Sequence, residues 1–347
     1  MSDVNANGRG RFTRRRAAVM ADVARLAGVS HQTVSRVLND PDQVRQETRV
    51  RVEAAMEMLD YRPNSVARAL VTGQTRVLGV VSFDTTQYGP ASTLFAVERA
   101  AHEAGYHVSI ASARRPDPRA TLDAVERFRV QGVDGILVIA PQAEATLSVL
   151  SLPDDVAVVA VEAGPEDGVP VVTVDHAAGA VAATRHLLEL GHATAWHIAG
   201  PANWAEARAR VAGWREALAE AGAIEPPVLE GDWSARSGYE LGRRLLAAPG
   251  ATAVFVANDQ MALGLLRVMH EAGRAVPDEL SVVGFDDQPE ASFFNPPLTT
   301  IRQDFMEMGR RGLELLLEEI EHGGRTSRRE MVAPELVVRA STGPARG

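Results

Sequence analysis

The chain has 347 residues, 46% of them hydrophobic, and a formal net charge of −9. This length exceeds what one ordinary hydrophobic core supports, so two or three domains are expected. The absence of cysteine excludes disulfides and cysteine-ligated metals and fits a reducing cytoplasm. There is no apolar run near the length of a membrane span and no hydrophobic N-terminal signal segment, so neither a membrane nor export is expected.

Positive charge is concentrated at the N-terminal end. Residues 1–76 carry 13 arginines against 8 acidic residues, whereas the remainder carries 23 against 37. Such asymmetry is what an electrostatic footprint on DNA phosphates requires. Residues 1–18 are rich in glycine, asparagine and arginine without periodicity, which predicts a disordered basic tail. Arginines 14–16 either touch phosphates or form a solvated tail of no consequence.

A short helix is predicted over Met20–Ala27, because apolar side chains recur at helical spacing. Val23, Leu26 and Ala27 are expected to face inward. Gly28 then permits a sharp turn into the next segment.

The second predicted helix begins after Ser30, whose hydroxyl can accept from the first free backbone N–H groups. Its inward stripe is expected to be Val34, Val37 and Leu38. The opposite face carries side chains able to hydrogen-bond: His31, Gln32, Ser35 and Arg36. Helix, glycine turn and polar-faced helix is typical of a helix-turn-helix, whose second helix enters the DNA major groove. A small surface helical hairpin is the alternative.

Two further helices are predicted before the pattern changes. One spans residues 46–60, with an inward face made of Val52, Ala55, Met56 and Leu59. Arg45 occupies its N-cap position, a poor cap that costs about 1 kcal/mol. The other is a short helix that Asn64 can start and Gly73 can close, and isolated helices of this length are marginal in water. An ordinary linker is the alternative for that segment.

From Arg76 onward, short aliphatic runs alternate with helical stretches, such as those at 94–104 and 121–131. The runs lie at residues 77–81, 107–110, 135–139, 156–161, 171–174, 195–199, 253–257 and 281–285. Runs of this kind are typical of strands buried on both faces of a parallel sheet. The alternation predicts two doubly wound α/β units in series. No G-x-G-x-x-G motif opens either unit, which argues against dinucleotide binding.

Four motifs in these segments are distinctive: Gln32-Thr33-Val34-Ser35-Arg36-Val37, Gly231-Asp232-Trp233-Ser234, Val256-Ala257-Asn258-Asp259-Gln260-Met261-Ala262 and Pro297-Leu298-Thr299-Thr300-Ile301. Through these motifs, the sequence resembles the LacI/GalR family of transcriptional repressors from about residue 20 almost to the end. The later motifs look most like the lactose-responsive branch of that family. The resemblance implies a helix-turn-helix headpiece, a hinge helix and a periplasmic-binding-protein-like core of two doubly wound parallel-sheet subdomains.

By that resemblance, DNA is contacted from the headpiece and from the hinge. The implied headpiece contacts are Ser30, His31, Gln32, Thr33, Ser35, Arg36, Asn39 and Thr48. The hinge helix would fold against its dimer mate on operator DNA. Leu70 would be the wedge in the minor groove, with Ala67 packed close to it.

The resemblance also implies a saccharide site between the two subdomains. Its residues would be Arg115, Glu162, Arg210, Trp233, Asn258, Asp286, Gln303 and Phe305. The guanidinium of Arg210 would fork two hydroxyls, Trp233 would stack on the sugar ring and Phe305 would close the apolar side. Asn258 and Asp286 would donate to or accept from hydroxyls, and Gln303 would stand near a crossover.

The first-subdomain half of this site departs from the pattern of the lactose-responsive branch. Glu162 stands where that branch has aspartate, and Ile139 replaces an asparagine. Phe83 and Gln87 stand in place of serine and leucine. The second-subdomain half is nearly intact. A saccharide is therefore expected, with a galactoside favoured, but its aglycone or second sugar is expected to differ.

The sequence thus predicts a DNA-binding repressor of carbohydrate-use genes, relieved by a saccharide. The expected domains are the tail (1–18), the headpiece (19–62), the hinge (63–75), an N-subdomain (76–174 with 303–332) and a C-subdomain (175–302 with 333–347). The chain ends without leucine heptads, so a homodimer is expected. The expected location is the cytoplasm. A transport module and an enzyme are the alternatives. No nucleophile, metal cluster or phosphate loop accompanies the pocket acids, so neither catalysis nor a cofactor is expected.

Overall fold

The computed structural model describes residues 18–62, 69, 73–113, 118–140, 156–164, 168–248, 250–323 and 326–346. The chain divides into two compact units, Met1–Thr75 and Arg76–Gly347, each described by itself below. The predicted tail up to residue 17, Arg115 and most of the predicted hinge, including Ala67 and Leu70, lie outside the described residues. None of the helices in the described ranges is long and apolar enough to cross a membrane.

The first unit contains α1 (Met20–Ala27), α2 (His31–Asn39), one turn of 3-10 helix (Pro41–Gln43) and α3 (Gln46–Met58). Gly28 ends α1 with a φ of 65°, in the left-handed region that favours glycine. Ser30 caps α2 as predicted, because its Oγ accepts from the backbone N–H of Thr33 at 3.1 Å. Arg45 precedes α3 without a side-chain cap, also as predicted.

All three helices contribute to the core of the first unit. Its buried members are Val23, Ala24, Ala27, Val34, Val37, Val52 and Ala55. The prediction that Leu26 faces inward is wrong, since Leu26 is 48% exposed and Ala24 is buried instead. Ala24 and Leu26 flank the stripe of Val23 and Ala27 on opposite sides, so a modest rotation of α1 about its axis buries one of them and exposes the other. The packing of α1 against α3 decides which of them is buried.

Seven helices are described in the second unit. They are α4 (Tyr88–Glu103), α5 (Pro118–Gln131), α6 (His176–Glu189), α7 (Ala205–Glu220), α8 (Ala235–Leu246), α9 (Asp259–Glu271) and α10 (Phe305–His322). A short 3-10 segment covers Pro289–Phe293. The first two helices begin earlier than predicted, at residues 88 and 118 rather than 94 and 121. Proline is accepted in a first helical turn because no hydrogen bond from its nitrogen is needed there.

The strands described in the second unit belong to three sheets. They are β1 (Val77–Phe83), β2 (His107–Ala113), β3 (Gly135–Ile139), β4 (Val158–Val161), β5 (Val171–Val174), β6 (Trp196–Ala199), β7 (Leu229–Glu230), β8 (Ala253–Val256), β9 (Ser281–Val283), β10 (Thr300–Arg302), β11 (Arg329–Val332) and β12 (Glu335–Val337). The six-stranded sheet has the order β11-β5-β4-β3-β1-β2 and is parallel throughout. The four-stranded sheet, β7-β6-β8-β9, is also parallel, and β10 pairs antiparallel with β12.

The central strands are apolar because helices cover both faces of each sheet. On the six-stranded sheet, α4 and α10 bury one face, where Leu137 and Met308 share a core, and α5 buries the other through Phe128. On the four-stranded sheet, α8 and α9 cover one face, while Trp214 of α7 and Leu187 of α6 cover the other. The predicted two doubly wound units are therefore confirmed.

The chain passes between the two sheets more than once. It leaves the six-stranded sheet after β5, completes the four-stranded sheet, and returns through α10 to add β11 at the sheet edge. It then crosses again to pair β12 with β10. Residues near these crossovers, among them Gln303, lie at the boundary between the two halves, and this is where the candidate pocket forms.

Candidate nucleic-acid interface and ligand pocket

The polar face of α2 is the exposed surface of the first unit that the sequence singled out. His31, Gln32 and Arg36 are exposed, while Thr33 and Ser35 are half-buried. The Ser30 hydroxyl is used for the cap and lies 2.8 Å from Thr33 Oγ1. Thr48, in the first turn of α3, is half-buried, and the side chain of Asn39 is outside the described part. This face offers hydrogen-bond donors and acceptors that match the edges of bases in a major groove.

The second unit brings the predicted ligand residues together at the carboxyl ends of its strands. Glu162 follows β4, Trp233 follows β7, Asn258 follows β8 and Asp286 follows β9. Open α/β sheets bind ligands at this edge. One cavity there is lined by all of the described candidates: Glu162, Arg210, Trp233, Asn258, Asp286, Gln303 and Phe305. Among the residues at which the chain departs from the family pattern, Ile139 and Gln87 also line it, whereas Phe83 is buried in the sheet core.

Backbone strain marks three of these strand ends. The φ angles are 61° at Glu162, 72° at Trp233 and 112° at Asp286, all in the region that non-glycine residues rarely adopt. Each such residue costs on the order of 1–3 kcal/mol unless its surroundings hold it. The surroundings do so here, because hydrogen bonds fix the neighbouring backbone and side chains. Strain of this kind at a shared edge is typical of a binding site.

Arg210 is buried at the centre of the pocket, with only 2% of its surface exposed. Its Nη1 donates to the carbonyl oxygen of Ala257 at 2.5 Å, and its Nη2 lies 3.9 Å from the Asp286 carboxylate. The guanidinium carbon also stands 3.9 Å from the centre of the Phe285 ring. The cation is therefore held flat and in one orientation, as bidentate recognition of hydroxyls requires.

A histidine that the sequence reasoning missed links Arg210 to Glu162. His176 Nδ1 lies 3.3 Å from Arg210 Nη2, and His176 Nε2 lies 3.0 Å from Glu162 Oε2. Because Arg210 is always a donor, Nδ1 accepts and the ring proton sits on Nε2, which donates to Glu162. Burial works against ionisation of Glu162, but His176 and the hydroxyl of Thr173 hold the pKa of Glu162 below its ordinary value. This chain of contacts joins the two halves of the unit.

Asp286 lies on the side of the pocket that the four-stranded sheet forms. Burial raises the pKa of Asp286 to about 6, although Arg210 and Gln303 favour its ionised form. Gln303 Nε2 donates to Asp286 Oδ1 at 2.6 Å, so the crossover residue is tied to a strand end. Behind them, Asp259 accepts from the Thr300 hydroxyl at 2.6 Å, and burial raises the pKa of Asp259 well above its ordinary value. The carboxylates of this region are therefore short of compensating positive charge.

Aromatic side chains supply the apolar walls. Trp204 and Trp233 meet edge to face with ring centres 5.5 Å apart, and Tyr88 and Phe305 do the same at 5.8 Å. The sequence reasoning found Trp233 and Phe305 but not their partners. Trp204 immediately precedes α7, and Tyr88 opens α4, so neither belongs to a strand-end motif.

Several buried polar atoms of the pocket have no hydrogen-bond partner among the described residues. They are Arg210 Nε, Trp233 Nε1 and Gln303 Oε1. Buried polar atoms are normally paired, so a cluster of unpaired ones needs an explanation. A polar ligand that supplies the missing partners is one such explanation.

The pocket is narrow, with a cavity volume of about 20 Å³. This is room for roughly one water molecule. A larger cavity of about 530 Å³ lies beside Thr252 and Leu280, at the amino ends of β8 and β9. Chemistry rather than volume distinguishes the strand-end pocket, because the strained and unpaired groups converge there. A ligand the size of a sugar requires the two halves to separate.

A helix-turn-helix unit combined with a periplasmic-binding-protein-like core defines a class of regulatory protein. Residues 19–64 match the lacI family of bacterial regulatory proteins, and residues 184–342 match a periplasmic binding protein-like domain. The lactose operon repressor of Klebsiella pneumoniae is 36% identical over 95% of this chain and 94% of its own length. The HTH-type transcriptional repressor PurR of Haemophilus influenzae (strain PittEE) is 35% identical over 93% of this chain and 98% of its own length.

Solved structures agree with these sequence matches. A crystal structure of the Lac repressor dimer bound to operator and the anti-inducer ONPF superposes with a TM-score of 0.85 at 34% identity, covering 94% of this chain and 100% of that one. The complex of the transcriptional regulator CelR with cellobiose gives a TM-score of 0.70 at 33% identity, covering 93% and 99%. The chain belongs to the LacI family of bacterial regulatory proteins.

Proposed function

We propose that this protein is a transcriptional repressor that binds operator DNA and dissociates from it when a saccharide binds between the two sheets of its core. The observation that carries the ligand part is the set of unpaired buried atoms on Arg210, Trp233 and Gln303. A polyhydroxylated ring satisfies a guanidinium, a carboxylate and an amide at once while one face stacks on an indole. His31, Gln32 and Arg36, exposed on α2, would read the bases.

Sequence identity alone does not identify the effector, because the lactose operon repressor and the repressor PurR match this chain almost equally well. Pocket chemistry favours a sugar. Carboxylates at Glu162 and Asp286 accept from hydroxyls, and Arg210 donates to two of them. The edge-to-face pair Trp204 and Trp233 offers apolar platforms. A galactoside is the first candidate by resemblance, with cellobiose, the ligand in the CelR complex, as a second.

The proposed mechanism couples this pocket to the DNA through a homodimer, the form named for the related Lac repressor structure. A saccharide that changes the separation of the two sheets would rotate the first halves of the cores relative to each other across the dimer. The hinge segments at residues 63–75, with Ala67 and Leu70 at the minor groove, would then lose their mutual packing. Short helices need only a small bias, and couplings of about 1–3 kcal/mol are typical.

The test begins with the full-length protein and an operator selected from a pool of random duplexes. A panel of saccharides is screened for release of the protein from that operator. At least one sugar is expected to release it and to be recovered chemically unchanged. Failure of every sugar, or conversion of a sugar to a product, would contradict the proposal.

Reciprocity then separates an inducer from a co-repressor. Operator DNA must weaken the binding of an inducing sugar by the same factor as the sugar weakens the binding of operator. We expect lower sugar affinity when the dimer is saturated with operator. Equal affinities with and without DNA would contradict allosteric release, and tighter binding with DNA would make the sugar a co-repressor.

A further inference from the structure

Glu206 is a pocket carboxylate that neither the fold nor the proposed hydroxyl contacts explain. It lies in the first turn of α7 and lines both the ligand pocket and an adjoining cavity of about 220 Å³. One of its oxygens lies within 4.8 Å of a Glu162 oxygen and of a His176 ring nitrogen. In the described part of the chain its carboxylate has no hydrogen-bond or ion-pair partner. Glu162 and Asp286, by contrast, are both tied to other side chains.

The charges around Glu206 are unbalanced. The groups that face it are Arg210 on its own helix, His176 at the start of α6, Glu162 after β4 and Asp286 after β9. Arg329 of β11 lies across the adjoining cavity, where it donates to the carbonyl oxygen of Gly164 at 2.8 Å. Three carboxylates thus surround one buried guanidinium. Burial, opposed by Arg210 and His176, raises the pKa of Glu206 to about 7.

The spacing of Glu162, His176 and Glu206 would also suit a metal ion, but the contacts argue against one. His176 already donates to Glu162 through Nε2 and accepts from Arg210 through Nδ1. Neither ring nitrogen has a free lone pair. A divalent cation would have to displace both contacts and lie close to the Arg210 guanidinium. The free capacity of this group is therefore for hydrogen-bond donors rather than for a metal.

We infer that Glu206 determines the charge of the effector by accepting hydrogen bonds from hydroxyl or amino groups, so that the pocket takes neutral or aminated saccharides and rejects phosphorylated and acidic ones. The inference rests on the proposed function, because it concerns the same site. An anionic substituent near Glu206 would lie beside this half-buried carboxylate and close to the buried carboxylates of Glu162 and Asp286, so like charges would repel it. A hydroxyl or ammonium group would instead occupy an acceptor that is unpaired.

The first measurement is calorimetric titration of the full-length dimer with galactose, lactose and cellobiose. The sugar that binds best is then compared with its amino, uronic acid and 6-phosphate forms. We expect the neutral and amino forms to bind, and the two anionic forms to bind roughly ten- to a hundredfold more weakly. An anionic form that binds as tightly as its neutral parent would overturn the inference and leave the proposed function standing. If no sugar of any charge binds, the proposed function itself fails.

Variants then assign the effect to this residue. Glu206→Gln keeps the size of the side chain and removes its charge, so discrimination against the acidic forms should fall about tenfold, whereas Glu206→Asp should retain it. Glu216→Gln, on the exposed side of the same helix, is the matched control and should change nothing. Melting curves show that each variant is folded. Full discrimination in a folded Glu206→Gln protein would remove this residue as the determinant.

Proton linkage gives a readout that a purely structural role would not move. A ligand that donates to Glu206 prefers the ionised carboxylate, so affinity for the neutral sugar should rise from pH 6 to pH 8 as the Glu206 pKa of about 7 is crossed. Asp286 and His176 also face the pocket, so the wild-type profile is compared with that of Glu206→Gln. A pH dependence that is identical in the two proteins would overturn the inference.

Discussion

The side-chain amide of Asn258 donates to the backbone carbonyl oxygen of Trp233 at 3.0 Å. The same amide accepts from the backbone N–H of Met261 at 2.9 Å and so caps α9. One side chain therefore starts a helix and fixes the residue that the sequence reasoning chose as the sugar platform. Trp233, with its φ of 72°, depends on such a support. One lone pair of Oδ1 and one amide hydrogen are therefore in use, which leaves one acceptor and one donor position for a ligand.

Substitution of Asn258 should therefore affect both stability and ligand binding. Asn258→Ala removes the cap and the Trp233 contact, and we expect a loss of about 1–2 kcal/mol in the free energy of unfolding together with weaker saccharide binding. Asn258→Asp keeps the capping oxygen and loses the donor, so it should retain more stability than alanine while still weakening sugar binding. Chemical unfolding and tryptophan fluorescence titration measure the two effects. A wild-type unfolding curve for the alanine variant would contradict this role.

Removal of Arg210 should abolish the saccharide response while operator binding persists. Arg210→Ala leaves Asp286 and Glu162 without their cation, and loss of one partner from a buried pair costs on the order of 3 kcal/mol. Without Arg210, the pKa of Asp286 should rise further and the pKa of Glu162 should rise from its lowered value. Stability lost by this route grows as the pH rises through those raised values, so the variant should be least impaired in acid. Arg215→Ala, an exposed position of the same helix, is the control for melting and sugar titration.

Arg36 is expected to read a base, with guanine the best match for its guanidinium. Arg36→Ala should weaken operator binding by roughly 1–3 kcal/mol and flatten preference at one base position. The charge-matched control is Arg25→Ala, which also removes one positive charge from the first unit. Because the Arg25 side chain pairs with Asp22 on α1, we expect this variant to keep the base preference. Binding is measured on the operator and on random DNA at fixed salt. Equal weakening of both by Arg36→Ala would show that the residue contacts phosphate only.

Acid should destabilise the protein through His197. This buried ring stacks on Phe255 at 4.6 Å and lies 2.9 Å from its carbonyl oxygen, and burial lowers the pKa of His197 to about 4. The unfolded chain therefore binds a proton at higher pH than the folded one, and stability falls as the pH drops from about 6.5 to about 4. The full effect is about 3 kcal/mol. His197→Phe should flatten the pH dependence of the melting temperature in this window, whereas the exposed His102→Gln should not.

Close packing of α8 on α9 should make Gly264 intolerant of a side chain. A Cβ there would stand 1.9 Å from the carbonyl oxygen of Ala235 and 2.6 Å from the backbone nitrogen of Tyr239. Gly264→Ala should therefore cost about 1–3 kcal/mol or prevent folding. At Gly312 in α10, a Cβ would make only ordinary contacts of 3.5 Å, so Gly312→Ala should be neutral or stabilising. Equal melting temperatures for the two variants would contradict the packing argument.

The sequence predicts most of the architecture because its local signals are strong. Aliphatic runs fix the strands, Ser30 fixes the start of α2, and strand ends place Asn258 and Asp286 at one edge. Helix boundaries were harder where proline stands in the first turn, at Pro90 and Pro118. The orientation of α1 was also missed, because Leu26 and Ala24 suit its helical pattern almost equally.

The part of the pocket that sequence reasoning missed depends on tertiary contacts. His176, Trp204 and Glu206 lie at or just before the beginnings of helices, with no pattern that separates them from ordinary surface residues. Only the approach of α6 to α7 brings His176 within reach of Arg210. The single local signal was the position of His176 two residues after β5. His176 could therefore have been proposed by the argument that identified Asn258, namely that polar residues just after a strand end tend to bind ligands.

Strand β11, at residues 329–332, lies beside β5 at the edge of the six-stranded sheet. The whole four-stranded sheet is encoded between these two neighbours. During translation, the six-stranded sheet therefore cannot be completed until residues 329–332 have left the ribosome. Until then, the backbone groups of β5 are an open edge to which another nascent chain could add. Early termination before Arg329 would leave that edge permanently unpaired, even though the residues of the helix-turn-helix would all be present.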